Sequence, residues 1–338
     1  MAFFILLIGN DWNVLLAQQE FYPFSCGRSK VVSYVGKNYW EGVKVGFINK
    51  VGETVIPIEY DDATSFENGC AVVGKERKYG LVDTLGRQII ACQYGMCKVF
   101  SEGLAAVCKD GKWGYVNGDG KMVIPPKYKY CSNFTEGLAC VNDGNKYGYI
   151  DAKGNIVIPF DYLGALSFSE GLACVRHGGE WIFIDKHGEK AIPFDYDYCF
   201  SFEEGLAVVE RQEKYGCIDR KGNVIIPFVY DAIGGFNDGL ALVTIDRKVG
   251  FINKKGEVIV PIEYEQANSF NEGLAAVKQD GKWGYVDSEG NLKIPCKYKE
   301  ASSFGEGLAV VKFFDDWLFS GAYIDSNDDW ILPFNSNW

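Results

Sequence analysis

The chain has 338 residues, of which 47% are hydrophobic and 15% aromatic, ample for a large core. Its 45 acidic side chains outnumber 34 basic ones, and the net charge of −11 opposes the phosphate neutralisation on which nucleic-acid binding depends. No polybasic patch offers itself to anionic lipid, and no apolar run reaches the roughly 20 residues of a membrane-spanning helix.

Residues 1–20 form an apolar N-terminal segment that reads either as a cap on the first structural unit or as a weak signal-like peptide. The second reading meets three obstacles: no Lys or Arg precedes the apolar run, Asp11 interrupts it, and Leu15 fits poorly before a cut at Ala17. From residue 21 to 334 the chain is one repeat array, followed by a tail at 335–338. A glycine column recurs every 34 residues, at Gly46, Gly80, Gly114, Gly148, Gly216, Gly250 and Gly284, with Ile182 as its single breach. A phenylalanine column keeps step from Phe66 to Phe304, each member followed three residues later by Gly, and Phe24 with Gly27 is a degenerate earlier copy. Self-similarity of this strictness means a repeat architecture.

Each unit alternates β-branched or aromatic residues with others and carries a proline near the end of one segment, which excludes paired helices of the same period. Three strands are predicted per unit. In residues 273–298 they are "GLAAVK", "KWGYVD" and "NLKIP", and about 14 linking residues follow. The turn after the middle strand repeats Asp or Asn with Gly three positions on, as in Asp287 and Gly290, which is hairpin chemistry. The middle strand is apolar on both faces, so neighbouring units must stack and share a core. The column glycine is then expected to admit a side chain from the next unit against the backbone. The fold class that follows is all-β: nine three-stranded antiparallel meanders in an open, superhelical, solenoid-like array. The alternative is a closed, β-propeller-like toroid. Both chain ends coincide with whole units and three strands are few for a propeller blade, which favours the open form.

The dipeptides Trp113-Gly114 and Trp283-Gly284, with the "VIPxxY" and "FxEGLA" elements around them, resemble the bacterial WG-repeat family over about residues 24–334. The resemblance implies a scaffold module and brings no catalytic residue with it.

Eight of the eleven cysteines, Cys92, Cys97, Cys131, Cys140, Cys174, Cys199, Cys217 and Cys296, sit in columns held elsewhere by Ala, Val, Ile, Phe or an aromatic residue, so cysteine reads as a small buried hydrophobe and the thiols as reduced. That favours the cytoplasm over a secreted or periplasmic location. Cys174, His177 and His187 are the only Cys/His grouping and lack a fourth ligand, too few for zinc. The acidic column at Glu102, Glu136, Glu170, Glu204, Asp238, Glu272 and Glu306 is expected to fix the units, by accepting loop N–H bonds or by pairing with Lys112, Lys146, Lys214 or Lys282 of a neighbour. No catalytic residue, cofactor or metal site is expected.

Function should lie where copies differ. The fifth unit, with Ile182 in the glycine column, supplies the binding candidates Arg176, His177, Trp181 and His187. The leading expectation is a non-enzymatic repeat scaffold for protein–protein interaction, without nucleic acid and without a membrane span. The alternative is a secreted or cell-surface module holding glycan or envelope material on exposed aromatics.

Overall fold

The computed structural model describes residues 2–5, 16–34, 42–314 and 322–331. The predicted tail at 335–338 lies outside them. The chain forms two compact units, one of residues 1–93 with 265–338 and one of residues 94–264.

The repeat is a four-stranded antiparallel sheet rather than a three-stranded meander. In the second unit Met96–Cys97, Leu104–Lys109, Lys112–Asn117 and Met122–Tyr128 pair in that order. In the first unit Gln266–Ala267, Leu274–Gln279, Lys282–Asp287 and Leu292–Tyr298 do the same. The added leading strand is two residues long in most repeats and lies in what the sequence reads as linker. The first sheet is five-stranded, because Ala2–Ile5 and Leu16–Phe21 pair ahead of Ser29–Tyr34.

Two turns shape each repeat. Ser101 and Leu104 exchange both backbone hydrogen bonds at 3.0 Å across Glu102 and Gly103, whose φ values of 50° and 80° make a two-residue hairpin turn with both central residues left-handed. At the second, predicted turn the Asp287 carboxylate accepts the N–H groups of Glu289 at 3.0 Å and Asn291 at 2.8 Å, and Gly290 closes the turn at φ 88°. The same arrangement recurs at Asp83, Asn117, Asp151, Asp185, Asp219 and Asn253.

The core is shared between consecutive repeats, as the two-faced middle strand requires. Tyr115 packs edge-on against Phe134 of the next repeat, with ring centroids 4.8 Å apart, and its hydroxyl donates to the Ser132 carbonyl at 2.7 Å. Phe134, Ala139, Val141 and Ile150 of one repeat join Tyr115 and Ile124 of the previous one in a single cluster. Aromatic pairs of this geometry add about 1 kcal/mol to their area burial. Tyr149 with Phe168 and Tyr285 with Phe304 repeat the joint at 4.9 Å.

The glycine column has a different cause from the one expected. Tyr115 faces Ile124 while Trp113 faces Tyr128, so a step of two residues on the middle strand spans four on the next. The surplus backbone arches over Gly114: a Cβ there would lie 2.3 Å from the Ile124 oxygen and 2.7 Å from the Pro126 nitrogen. The glycine therefore accommodates its own repeat's bulged backbone rather than a neighbour's side chain. Ile182 tests the rule. In its sheet the last strand is missing, and only isolated bridges from Trp181 to Tyr196 and from Ile184 to Lys190 remain.

The chain's ends meet inside the first unit, and this overturns the open array. Tyr323 of the last repeat packs on Phe24 of the first at 5.4 Å, as Tyr285 packs on Phe304. Glu306 accepts the Gly27 N–H at 2.6 Å, as Glu272 accepts the Gly307 N–H at 2.7 Å. The Tyr323 hydroxyl lies 2.8 Å from Ser29 Oγ. The fold is a β-propeller with four-stranded blades, the closed alternative. The first and last blades are joined by the same stacking contact as Tyr285 and Phe304, without a blade shared between the termini.

The acidic column makes these joints. Glu102, Glu136 and Glu170 accept the N–H of Gly137, Gly171 and Gly205, each 35 residues on. The lysine partners are not those expected. Lys186 pairs with Glu136 at 3.2 Å and Lys254 with Glu204 at 2.8 Å, whereas Lys146 and Lys214 reach Asp161 and Asp231. Burial pushes the Glu136 carboxyl up, but the Gly171 N–H and the Lys186 ammonium outweigh it and hold the group below the usual range. Its stabilisation is therefore present above the ordinary carboxyl pKa and is lost as pH falls through the lowered one. Glu136→Gln is expected to cost about 1 kcal/mol at neutral pH and to flatten the acid limb of stability, read from urea midpoints across pH.

Candidate functional site

The four sequence-derived candidates do not come together. Arg176 and Trp181 face one another across the ladder, with the Trp181 ring 5.0 Å from Tyr198 and seated over Gly164. His177 is exposed beside the turn at Gly178 and Gly179, its Nδ1 3.9 Å from Asp161 and its ring 6.0 Å from Tyr162. His187 sits in the turn at the other end of the Glu180–Ile184 strand, where its N–H donates to Asp185. Among the described residues no group of three His, Cys, Asp or Glu side chains is placed to hold a metal ion.

A cleft lies instead one repeat further on, in the second unit, with a volume of about 270 Å³. Its position follows from one column. Before each phenylalanine most repeats hold a polar residue, Thr64, Lys98, Ser132, Asn268 or Ser302. The Thr64, Ser132 and Ser302 hydroxyls accept an N–H from the adjoining strand, that of Val72, Cys140 and Val310. Three consecutive repeats break the column with Leu166, Phe200 and Gly234, and all three line the cleft.

At Leu166 the leading strand keeps its two residues, Gly164–Ala165, but at Phe200 and Gly234 the backbone changes. The leading strands lengthen to Tyr198–Glu203 and Ala232–Asn237, and each continues through a bulge. Phe200 and Ser201 oppose Val208, and Gly234 and Gly235 oppose Leu242. A bulge re-aims side chains, and Phe200 is left 43% exposed at the rim while Leu206, Val208, Ile233 and Phe236 form a buried floor. The floor belongs to the core cluster of Cys217, Ile226 and Tyr230. On the other side Leu166 rests on the cluster of Leu172, Cys174, Cys199 and Phe202.

Glu203 supplies the charge. Three members of its column, Ser101, Ser169 and Asn271, donate a hydrogen bond to the next repeat's phenylalanine carbonyl, at 2.7, 2.6 and 2.8 Å. An ionised carboxylate cannot donate. Glu203 lies over Gly235, where a Cβ would stand 2.7 Å from its oxygen, and its carboxylate makes no hydrogen bond or ion pair among the described residues.

One wall is tied covalently. Cys174 and Cys199, 25 residues apart and fully buried, form a disulfide between consecutive repeats, which corrects the reading of all eleven thiols as reduced. The nine free cysteines behave as expected where they are buried: burial pushes the Cys140 and Cys217 thiols up to about 12, so they stay protonated and inert.

Repeat matches to the WG containing repeat cover residues 46–79, 79–113, 113–147, 147–181, 183–215, 215–248, 250–283 and 283–315. The chain belongs to the WG-containing repeat family. Within the WG repeat the tryptophan and glycine are thus framework residues, and the cleft arises where the repeat departs from its own pattern. Among solved structures, the crystal structure of a eukaryotic initiation factor is similar with a TM-score of 0.62 at 12% identity, over 90% of this chain and 95% of that one. At that identity the likeness concerns the fold alone. Kluyveromyces lactis Hsv2p gives a TM-score of 0.41 at 9% identity, over 76% of this chain and 94% of that one. No curated protein sequence matches significantly. No helix among the described residues is long and apolar enough to cross a membrane.

Proposed function

We propose that the protein is a non-catalytic WG-repeat scaffold that binds other proteins at the cleft lined by Leu166, Phe200 and Gly234. The observation carrying this reading is the run of three consecutive repeats in which a polar linker residue gives way to an apolar or absent side chain, with a bulged strand in the second and third. An exposed phenylalanine over a buried apolar floor is the anatomy of a hot spot. The cleft's volume falls below the roughly 300–1,000 Å³ of sites that enclose small molecules, and it suits side chains inserted from a larger partner. The repeated carboxylates of Glu102, Glu136 and Glu170 are taken up in joints between repeats, which leaves them out of any acid–base pair.

Affinity capture from the native host with the wild-type chain and with Phe200→Asp tests the reading. Proteins recovered by the wild type are expected to fall about tenfold or more in the variant. Capture unchanged by the substitution, beside a glycan-array signal that the substitution abolishes, would replace the protein partner with a carbohydrate.

A further inference from the structure

We propose that the cleft takes a basic–apolar peptide segment, one Lys or Arg side chain meeting Glu203 while an adjacent apolar side chain packs between Phe200 and Leu166. The inference rests on the scaffold reading above and adds the chemistry of what is bound.

Three observations fix that chemistry. The first is the state of Glu203 relative to its neighbours at the same turn. Glu204 is paired with Lys254 at 2.8 Å, and Glu170 accepts the Gly205 N–H at 2.9 Å, so both adjacent carboxylates are engaged. The Glu203 carboxylate faces the cleft without a hydrogen bond or ion pair among the described residues. Ser169 and Asn271 place a hydrogen-bond donor at this position, which Glu203, like Glu67, does not. Glutamate gives up that bond between repeats, and what stands in its place is an acceptor with free lone pairs at the edge of an apolar cavity. A cation completes it, with a charge-assisted hydrogen bond about twice as strong as a neutral one.

The second observation is the wall. Leu166 and Phe200 stand in one column of consecutive repeats, and the third member of that column, Gly234, carries no side chain, so the space its neighbours' side chains would fill is open. A Cβ on Gly235 would stand 2.7 Å from the Glu203 carboxylate, so a glycine there keeps the carboxylate seated at the cavity edge. An apolar side chain entering this gap covers Phe200, and removing both from water favours the bound state.

The third is the long-range field. A net charge of −11 draws a cationic segment toward the surface and repels an acidic one, which raises the encounter rate before any contact forms. The disulfide from Cys174 to Cys199 sits immediately before Phe200 and holds that wall in place, so little ordering is required on binding.

Selection of a random displayed peptide library on the full chain tests the proposal, with synthetic copies of the enriched peptides measured against wild type, Glu203→Lys and Phe200→Ser. Both substitutions fall on exposed side chains, and circular dichroism confirms folding. Enriched peptides are expected to carry Lys or Arg beside Leu, Ile, Phe or Met, to bind about tenfold or more weakly to Glu203→Lys, and to weaken with added salt. Exchanging the peptide's basic residue for Glu is expected to restore binding to Glu203→Lys. Peptides without a basic residue, sensitive to Phe200→Ser but not to Glu203→Lys, would overturn the charge assignment and leave the scaffold reading standing. Enriched peptides insensitive to both substitutions, or no enrichment at all, would overturn both.

Discussion

Gly284→Ala is expected to lower the stability of the protein by about 3 kcal/mol, the upper part of the range for forcing atoms into a packed core. The reason is that nothing near the position can move cheaply. A Cβ there would stand 2.4 Å from the Ile294 oxygen, 2.7 Å from the Cys296 nitrogen and 2.8 Å from the Pro295 carbonyl carbon, all backbone of the strand bulged over it. Either that strand lifts away, breaking the pairing of Tyr285 with Ile294, or the middle strand bows into the buried layer of Tyr285 and Val286. The Ile182 repeat shows which course the chain takes, because there the last strand is reduced to two bridges. The measurement is the urea midpoint of Gly284→Ala beside Gly281→Ala. Gly281 has open space for a Cβ but a φ of 74°, so it controls for backbone conformation without a clash. Equal losses at the two positions would mean that close approach is not what keeps glycine in the column.

The sequence makes part of this legible and conceals the rest for identifiable reasons. A 34-residue period, the meander strands and the Asp–Gly turn after the middle strand are local, periodic features, and each stands in the structure. The leading strand is not visible because a pair such as Gln266 and Ala267 is too short to alternate. The bulge is hidden because it is a mismatch of register between two strands, and register is not written in either strand alone. Closure is hidden by the joint itself: Tyr323 meets Phe24 as any tyrosine meets the next repeat's phenylalanine, so the termini carry no mark distinguishing a ring from an open stack. The cleft could have been found. The column Thr64, Lys98, Ser132, Leu166, Phe200, Gly234, Asn268 and Ser302 is as readable as the glycine column, and its three apolar or glycine members are consecutive. The histidines are the more conspicuous departure from the repeat, yet His177 and His187 are kept apart by the Glu180–Ile184 strand.

The disulfide escaped a reading that took columns singly. Cys174 and Cys199 each stand in a column where other repeats hold an ordinary apolar residue, and each by itself is a buried filler. A bond between repeats requires both positions to be cysteine at once, 25 residues apart. Cys140 stands opposite Ala165, whose carbonyl lies 3.7 Å from its sulfur, and Val208 and Ile233 hold the equivalent positions one repeat later. Only Cys174 and Cys199 coincide. Under non-reducing denaturing alkylation nine thiols are therefore expected to react, and all eleven after reduction. Eleven without reductant would return the chain to the fully reduced state that the columns suggest. Cross-linking a 25-residue separation is expected to contribute about 3 kcal/mol, chiefly by restricting the unfolded chain. Reduction of the wild type should thus lower its urea midpoint, while a chain carrying Cys174→Val and Cys199→Ile, the pair found at Val208 and Ile233, should be insensitive to reductant. If that variant keeps the affinity of the wild type for the selected basic–apolar peptides, the bond serves stability. If it binds them more weakly at unchanged Glu203, the disulfide holds Phe200 in its binding position, and the oxidation state of one buried pair sets the strength of the site.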